Sequence, residues 1–237
     1  MAYDRDPSTK IVDCGIPLQP RLQTSRRSYE ESMYTLCRIT LDILHRRVLS
    51  LEPEAWLTEV SELKARLDLI LVDGQEHLRD VEKCRSIQNR LEHLALRLHL
   101  SFITSKICRR AFLLPALQED VRHSIIQTCV EELKKTLGAF LDMNRLSTIA
   151  STAWEFLHRT LSSALLLGII GRSAGTRNAS SLLEHFIEVL SSLTQTTSRH
   201  NNEIEDLTQY VSALTVLKRL RDEESCNQTS MFNSSLY

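Results

Sequence analysis

The sequence predicts an all-α protein, an irregular multi-helix bundle of about seven helices with no sheet, and three observations carry that expectation. Ser86 to Leu114 is a leucine-rich run whose apolar residues repeat at helical spacing for about seven turns. The 237-residue chain holds only six glycines and 5% aromatics, so packing falls to leucine. No segment alternates apolar and polar residues in the manner of a strand, and no repeat of fixed period occurs.

The elements follow in order. Residues 1–27 carry Pro7, Gly15, Pro17 and Pro20 with little periodicity and read as an extended leader. From Ser28 the pattern turns helical, with Met33, Leu36, Cys37, Leu41, Leu44 and Val48 at three-and-four spacing. Glu52 and Pro53 open a second helix, whose buried side is Trp56, Val60, Leu63 and Leu67, because proline suits a first turn. Asp73-Gly74 then breaks the chain.

The run after Ser86 is apolar on two sides. Ile87, Leu91, Leu94, Leu98 and Phe102 form one stripe; Leu96, Leu100, Ile103, Ile107 and Leu114 form another. A helix of this kind needs partners all round and is expected to be the middle element. After Pro115 comes a helix with Val121, Ile125, Cys129, Leu133, Leu137 and Leu141 on one side, ending near Asn144. Ser147 or Thr148 is placed to cap the next helix, with Trp154, Leu157, Leu161, Leu165 and Ile169. Gly171 to Gly175 reads as a loop. Two more helices are expected over 179–195 and 202–221, the last carrying Ile204, Leu207, Val211, Leu214 and Leu217. The tail 222–237 loses all pattern and reads as disordered. The helical region is thus 28–221, between leader and tail.

Charge and composition narrow the function. The formal charge is −1, from 29 basic and 30 acidic residues, so no net field favours a polyanion and direct nucleic-acid binding is not expected. Basic pairs at Arg26-Arg27, Arg46-Arg47 and Arg109-Arg110, and the Lys218-Arg219-Leu220-Arg221 stretch, read as solvated faces or helix ends, where cations suit the macrodipole. The N-terminal MAYDRDPSTK has no apolar core of a secretory signal, and the apolar stretch Leu161 to Ile170 is too short to span a bilayer, so no membrane is expected. The sequons at Asn178, Asn227 and Asn233 then carry no weight.

Chemistry-bearing patterns are sparse. Cys14, Cys37, Cys84, Cys108, Cys129 and Cys226 include no C-x-x-C pair. They read as reduced thiols, with Cys37, Cys108 and Cys129 as small buried hydrophobes inside helices. Glu155-x-x-His158 has the spacing of half a di-iron motif, but a second copy and two further carboxylates are missing. It leaves a helical metal-dependent enzyme around Glu155 and His158 as a minor alternative. GIIGRSAG lacks the Lys-Ser/Thr of a phosphate loop. No catalytic, cofactor-binding or metal-ligating residue is assigned.

Several separated stretches resemble the helical regulatory (middle homology) domain of fungal binuclear zinc-cluster transcription factors. Asp13, Ile16, Pro17, Leu18 and Pro20 resemble its aspartate-containing segment, followed by Tyr34-x-x-Cys37-Arg38. Ala95-Leu96-Arg97-Leu98-His99-Leu100 with Arg109 to Leu113 resembles a Leu-His-Leu followed by Arg-Pro-Phe-Leu near a helix end, with Ala111 in the place of the proline. Ser124 with Cys129, and Trp154 ahead of Leu161, Ala164, Leu165 and Leu166, continue the order.

The resemblance covers the second half of that domain. It implies a nuclear, non-catalytic role in regulating transcription, with zinc confined to a six-cysteine module expected upstream of Met1 and absent from this chain, which is then a truncated or partial form. The expected partners are proteins, or the missing first half of the domain, meeting apolar helix faces; a small effector is a further expectation. The alternative is an all-α interaction scaffold unrelated to transcription.

Overall fold

The computed structural model describes residues 26–45, 52–114, 117–174, 177–198 and 211–221. Among them every regular element is a helix, and the one extended pairing is an isolated parallel bridge between Arg27 and Gly74. The expected all-α class holds. The chain divides into two compact units, residues 1–83 and 84–237, where the sequence pattern reads as one helical region.

The first unit holds α1 (Tyr29–His45), α2 (Pro53–Val72), α3 (Glu76–Arg79) and a 3-10 turn at Val81–Lys83. A reciprocal cap starts α1: the Ser28 hydroxyl accepts from the Glu31 amide at 3.2 Å while Glu31 accepts from the Ser28 amide at 2.9 Å. Pro53 stands in the first turn of α2, and Trp56, Val60, Leu63, Leu67 and Ile70 form its buried stripe, as the spacing predicts. The buried line of α1 differs from the predicted one. It runs through Ser32, Leu36 and Ile39, while Cys37 is exposed and Leu44 is 44% exposed. Val48 lies outside the described residues. Cys37 stands about 100° from Leu36 on a helix, which carries it off the buried line.

Arg27 fastens the entry of α1 to the turn after α2. Its amide donates to the Asp73 carbonyl at 2.8 Å, and its carbonyl accepts from the Gln75 amide at 2.9 Å. Its guanidinium reaches Asp73 at 3.2 Å and the Thr35 hydroxyl at 3.1 Å. This arginine is therefore a structural tie and not the solvated cation its basic pair suggests. Arg66 on α2 reaches Asp42 on α1 at 2.7 Å; with both side chains only partly buried, at 40% and 46% exposure, the pair contributes on the order of 0–1 kcal/mol.

The second unit holds α4 (Ile87–Cys108), a 3-10 turn at Arg109–Leu113, α5 (Glu119–Leu146), α6 (Ile149–Thr152), α7 (Trp154–Ala174), α8 (Arg177–Ser198) and α9 (residues 211–221). The Ser86 hydroxyl caps α4 by accepting from the Asn89 amide at 3.0 Å. Buried residues line α4 almost continuously from His93 to Cys108, on both predicted stripes, although Ile87 at its first turn is 65% exposed. The hub of the unit is nevertheless α5, which packs on α4, α6, α7, α8 and the 3-10 turn. Its buried side is Cys129, Leu133, Leu137 and Leu141, as expected, joined by Phe140, whose ring meets Phe186 of α8 edge-on at 5.6 Å.

Two expectations for α7 are corrected. Leu157 and Leu161 are buried, but Trp154 is 47% and Ile169 57% exposed. Steps of four residues drift 40° each on a helix, so Ile169 stands about 120° round from Leu157. The buried line runs instead through Thr160, Ala164 and Leu167. Gly171 to Ala174, read as loop, are helical; a helical glycine costs only about 1 kcal/mol, which favourable packing overrides. Gly168 shows such packing, because a Cβ there would come within 3.1 Å of Leu220 on α9. On α9, Leu214 and Leu217 are buried and Val211 is half exposed; Ile204 and Leu207 lie outside the described residues.

Candidate functional site

Helix α4 meets two neighbours with polar side chains, and the two junctions are built differently. Toward α5, the hydroxyls of Ser101 and Thr136 lie 2.9 Å apart, each also within reach of a carbonyl of its own helix, at 2.8 Å for Ser101 and 3.0 Å for Thr136, so one hydroxyl donates across the junction while the other donates to its own helix. The Cys129 thiol donates to the Ser105 carbonyl at 3.5 Å. Burial pushes that thiol up to about 12, helped by Cys108 nearby and opposed by Arg109, so it stays protonated and inert.

Toward α7, aromatic rings and cations collect along one seam. His99, 2% exposed, stacks on Phe156 with centroids 5.2 Å apart. Burial, with Arg159 beside it, pulls the imidazole down to about 3, so it is neutral at physiological pH. One turn further along α4, the half-buried ring of Phe102 carries two guanidiniums: Arg109 at 5.7 Å and Arg159 at 5.3 Å from its centroid. Lys106 lies between Phe102 and Arg109 along the chain, and its ammonium is held below the usual lysine range by partial burial and then by Arg109 and Arg159.

The charges of this seam are not balanced. Glu155 pairs with Arg159 at 2.5 Å. Among the described residues neither Lys106 nor Arg109 has a carboxylate partner, and the Nε and Nη2 of Arg109 find no acceptor. These two nitrogens form one edge of the guanidinium, and that edge is buried away from solvent. Burial holds the Arg109 guanidinium below its ordinary range. The basic pair Arg109-Arg110 is therefore only partly solvated, with Arg109 stacked into the seam.

Glu155 and His158 each have a different neighbour among the described residues. Both are exposed, Glu155 is taken by Arg159, and His158 stacks on Trp154 at 5.3 Å. No group of three metal-ligating side chains converges among the described residues. Of the cysteines, Cys108 and Cys129 are buried as expected, Cys84 is half-buried, Cys37 is exposed, and Cys14 and Cys226 lie outside the described residues.

Sequence reasoning placed Phe102 on a core stripe and Arg109 at a helix end. Their i, i+7 spacing, with Lys106 at i+4 from Phe102, was readable as a shared face. Arg159, fifty residues on, was not.

A concavity of about 430 Å³ lies in the first unit, lined by Arg26, Leu71, Val72, Glu76, Arg79, Asp80 and Lys83. Its acids and bases offset one another, Arg26 reaching Glu76 at 3.9 Å, so it presents no clear ligand preference. No helix among the described residues is long and apolar enough to cross a membrane. Comparisons of the chain with family models, with curated proteins and with solved structures find no match.

Proposed function

We propose that this chain is a non-catalytic helical regulatory domain that works through contacts with protein, of the kind it resembles in fungal zinc-cluster transcription factors, and that it acts in the nucleus. The observation that carries the reading is a set of large apolar side chains left at the surface of an otherwise well-buried helical unit. Leu113 is 78%, Phe112 40%, Ile149 49% and Trp154 47% exposed. Single exposed leucines are ordinary, but large aromatic and aliphatic side chains exposed both on the 3-10 turn before α5 and on α6 and the start of α7 after it are the kind of surface that partners cover.

The motif residues support the same reading by their placement. Trp154 is the first residue of α7, Arg109 to Leu113 close α4 as a 3-10 turn, and Ser124 and Cys129 share α5. Under this reading the chain supplies no DNA contact of its own, and regulation passes through whatever protein covers its exposed side chains.

Tethering tests the proposal. The 237-residue chain, fused to a heterologous DNA-binding module in a fungal cell, is expected to enter the nucleus and change the output of a reporter held at an intermediate basal level. That level makes activation and repression both readable. Unchanged output from a fusion that is expressed and bound at the promoter would refute the regulatory reading.

A further inference from the structure

We propose that the seam of Phe102, Lys106, Arg109 and Arg159 is the docking site for an acidic segment of a partner protein, with the adjoining Phe112 and Leu113 receiving an apolar side chain of that segment. The inference rests on the reading of the chain as a protein-contact domain and names the chemistry of the contact.

Charge complementarity decides the occupant. Two guanidiniums sit over one aromatic ring with Lys106 close enough to feel both, and among the described residues Glu155 is the one carboxylate paired within the cluster. Like charges held together lose energy to one another and to partial desolvation, a cost that an anionic partner relieves. Arg109 is held by stacking on Phe102, its Nε and Nη2 buried without an acceptor among the described residues, so no carboxylate of the described fold offsets the charge it adds to the seam. Two guanidiniums and an ammonium gathered in one seam favour an anionic ligand, and a carboxylate is the anion that a protein segment brings.

The form of the site argues for a protein segment over a small anion. Phe102 is half-buried, the Arg159 side chain is 22% exposed, and Lys106 is exposed, which makes an open seam and not an enclosed cavity. An open seam leaves a small anion in water, where each contact is weak; a protein segment brings its own covering surface and excludes water from the ion pairs. The exposed Phe112 and Leu113 follow Arg109 directly along the 3-10 turn, and only a ligand with apolar side chains uses them.

Fluorescence anisotropy with the intact chain tests this, using a labelled peptide of glutamates interrupted by leucines and its glutamine counterpart. The acidic peptide is expected to bind, with affinity falling as salt rises, and the glutamine peptide is expected not to. Lys106→Gln and Arg109→Gln should each weaken binding about tenfold, the loss expected for removing one partner of a charge pair. Glu155→Gln, which deletes the competing carboxylate at an exposed position, should tighten binding by about threefold. Circular dichroism confirms that each variant is folded, and Glu155→Gln asks for a gain that no misfolded protein supplies.

Equal binding of both peptides, no effect of the three variants, or tighter binding of a single-stranded oligonucleotide that Lys106→Gln abolishes would each overturn the proposal. A silent tethered reporter with intact peptide binding counts against the regulatory reading alone. A responsive reporter with no peptide binding counts against the acidic-segment site alone.

Discussion

The two junctions of α4 make the comparison from which most can be learned. On the α5 side, one of the Ser101 and Thr136 hydroxyls donates to the other, which donates to its own helix, and Cys129 donates to Ser105. Every polar hydrogen there has an acceptor. On the α7 side, among the described residues, buried His99 has no partner at Nδ1 and Arg109 has none at its buried Nε and Nη2, while the exposed Lys106 has no carboxylate. Buried polar groups left unpaired cost roughly 1–3 kcal/mol each, while paired ones are close to neutral or mildly favourable. The α5 junction therefore serves the fold, and the α7 seam is carried at some cost to it, as binding surfaces commonly are.

The largest expected difference is in acid. His99 is held down to about 3 against an ordinary value of 6.5. A histidine depressed in the folded state binds its proton more readily when unfolded, so stability rises with pH between those two values and is lost as pH falls through them. The loss approaches about 5 kcal/mol below the folded value, at roughly 1.4 kcal/mol per unit. Equilibrium urea unfolding at a series of pH values should show this limb, and His99→Phe, which keeps a ring against Phe156, should flatten it.

Next in size is the packing beneath the α5 junction. Phe140 is fully buried and meets Phe186 edge-on. Phe140→Ala should cost about 3–5 kcal/mol in chemical denaturation at neutral pH, through lost burial and the cavity left behind. A loss below about 1 kcal/mol would mean that this interior is not packed as described.

The thiols sharpen the comparison without changing stability. Cys37 is exposed on α1, whereas Cys129 is buried and pushed up to about 12. Maleimide labelling followed by peptide mapping should modify Cys37 within minutes and Cys129 only under unfolding conditions. Rapid labelling of Cys129 in the folded protein would place the α5 junction among locally opening regions.

The fold was legible in the sequence wherever one helix face carried the signal. Trp56, Val60, Leu63 and Leu67 on α2, and Cys129, Leu133, Leu137 and Leu141 on α5, sit where their spacing puts them. Legibility failed where both faces are apolar or where partners come from afar. On α7 the four-residue steps from Leu157 to Ile169 leave the buried side, because the true line mixes three- and four-residue steps and includes Thr160 and Ala164, which hydropathy discounts. Calling α4 the middle element overlooked α5, whose 28 residues reach more neighbours. The division at Lys83 is unmarked by proline or glycine and was not foreseen.

The candidate site was less legible still. A helix-end arginine usually faces water, and only the approach of Arg159 from α7 and the missing acceptors around Arg109 distinguish this one. The two residues that sequence spacing did bring forward, Glu155 and His158, are engaged by Arg159 and Trp154. Glu155 belongs to the site after all, as the carboxylate that partly occupies it.

The most direct test of the difference between the junctions is thermal unfolding of two double variants beside the parent chain. Ser101→Ala with Thr136→Ala removes paired hydroxyls, and a loss of about 1–2 kcal/mol is predicted. Lys106→Gln with Arg109→Gln removes unpaired cations, and stability equal to or slightly above the parent is predicted, because relief of repulsion and desolvation offsets the lost stacking on Phe102. A seam variant that unfolds as early as the hydroxyl variant would show that the cations hold the fold together, and would contradict the assignment of the seam to binding.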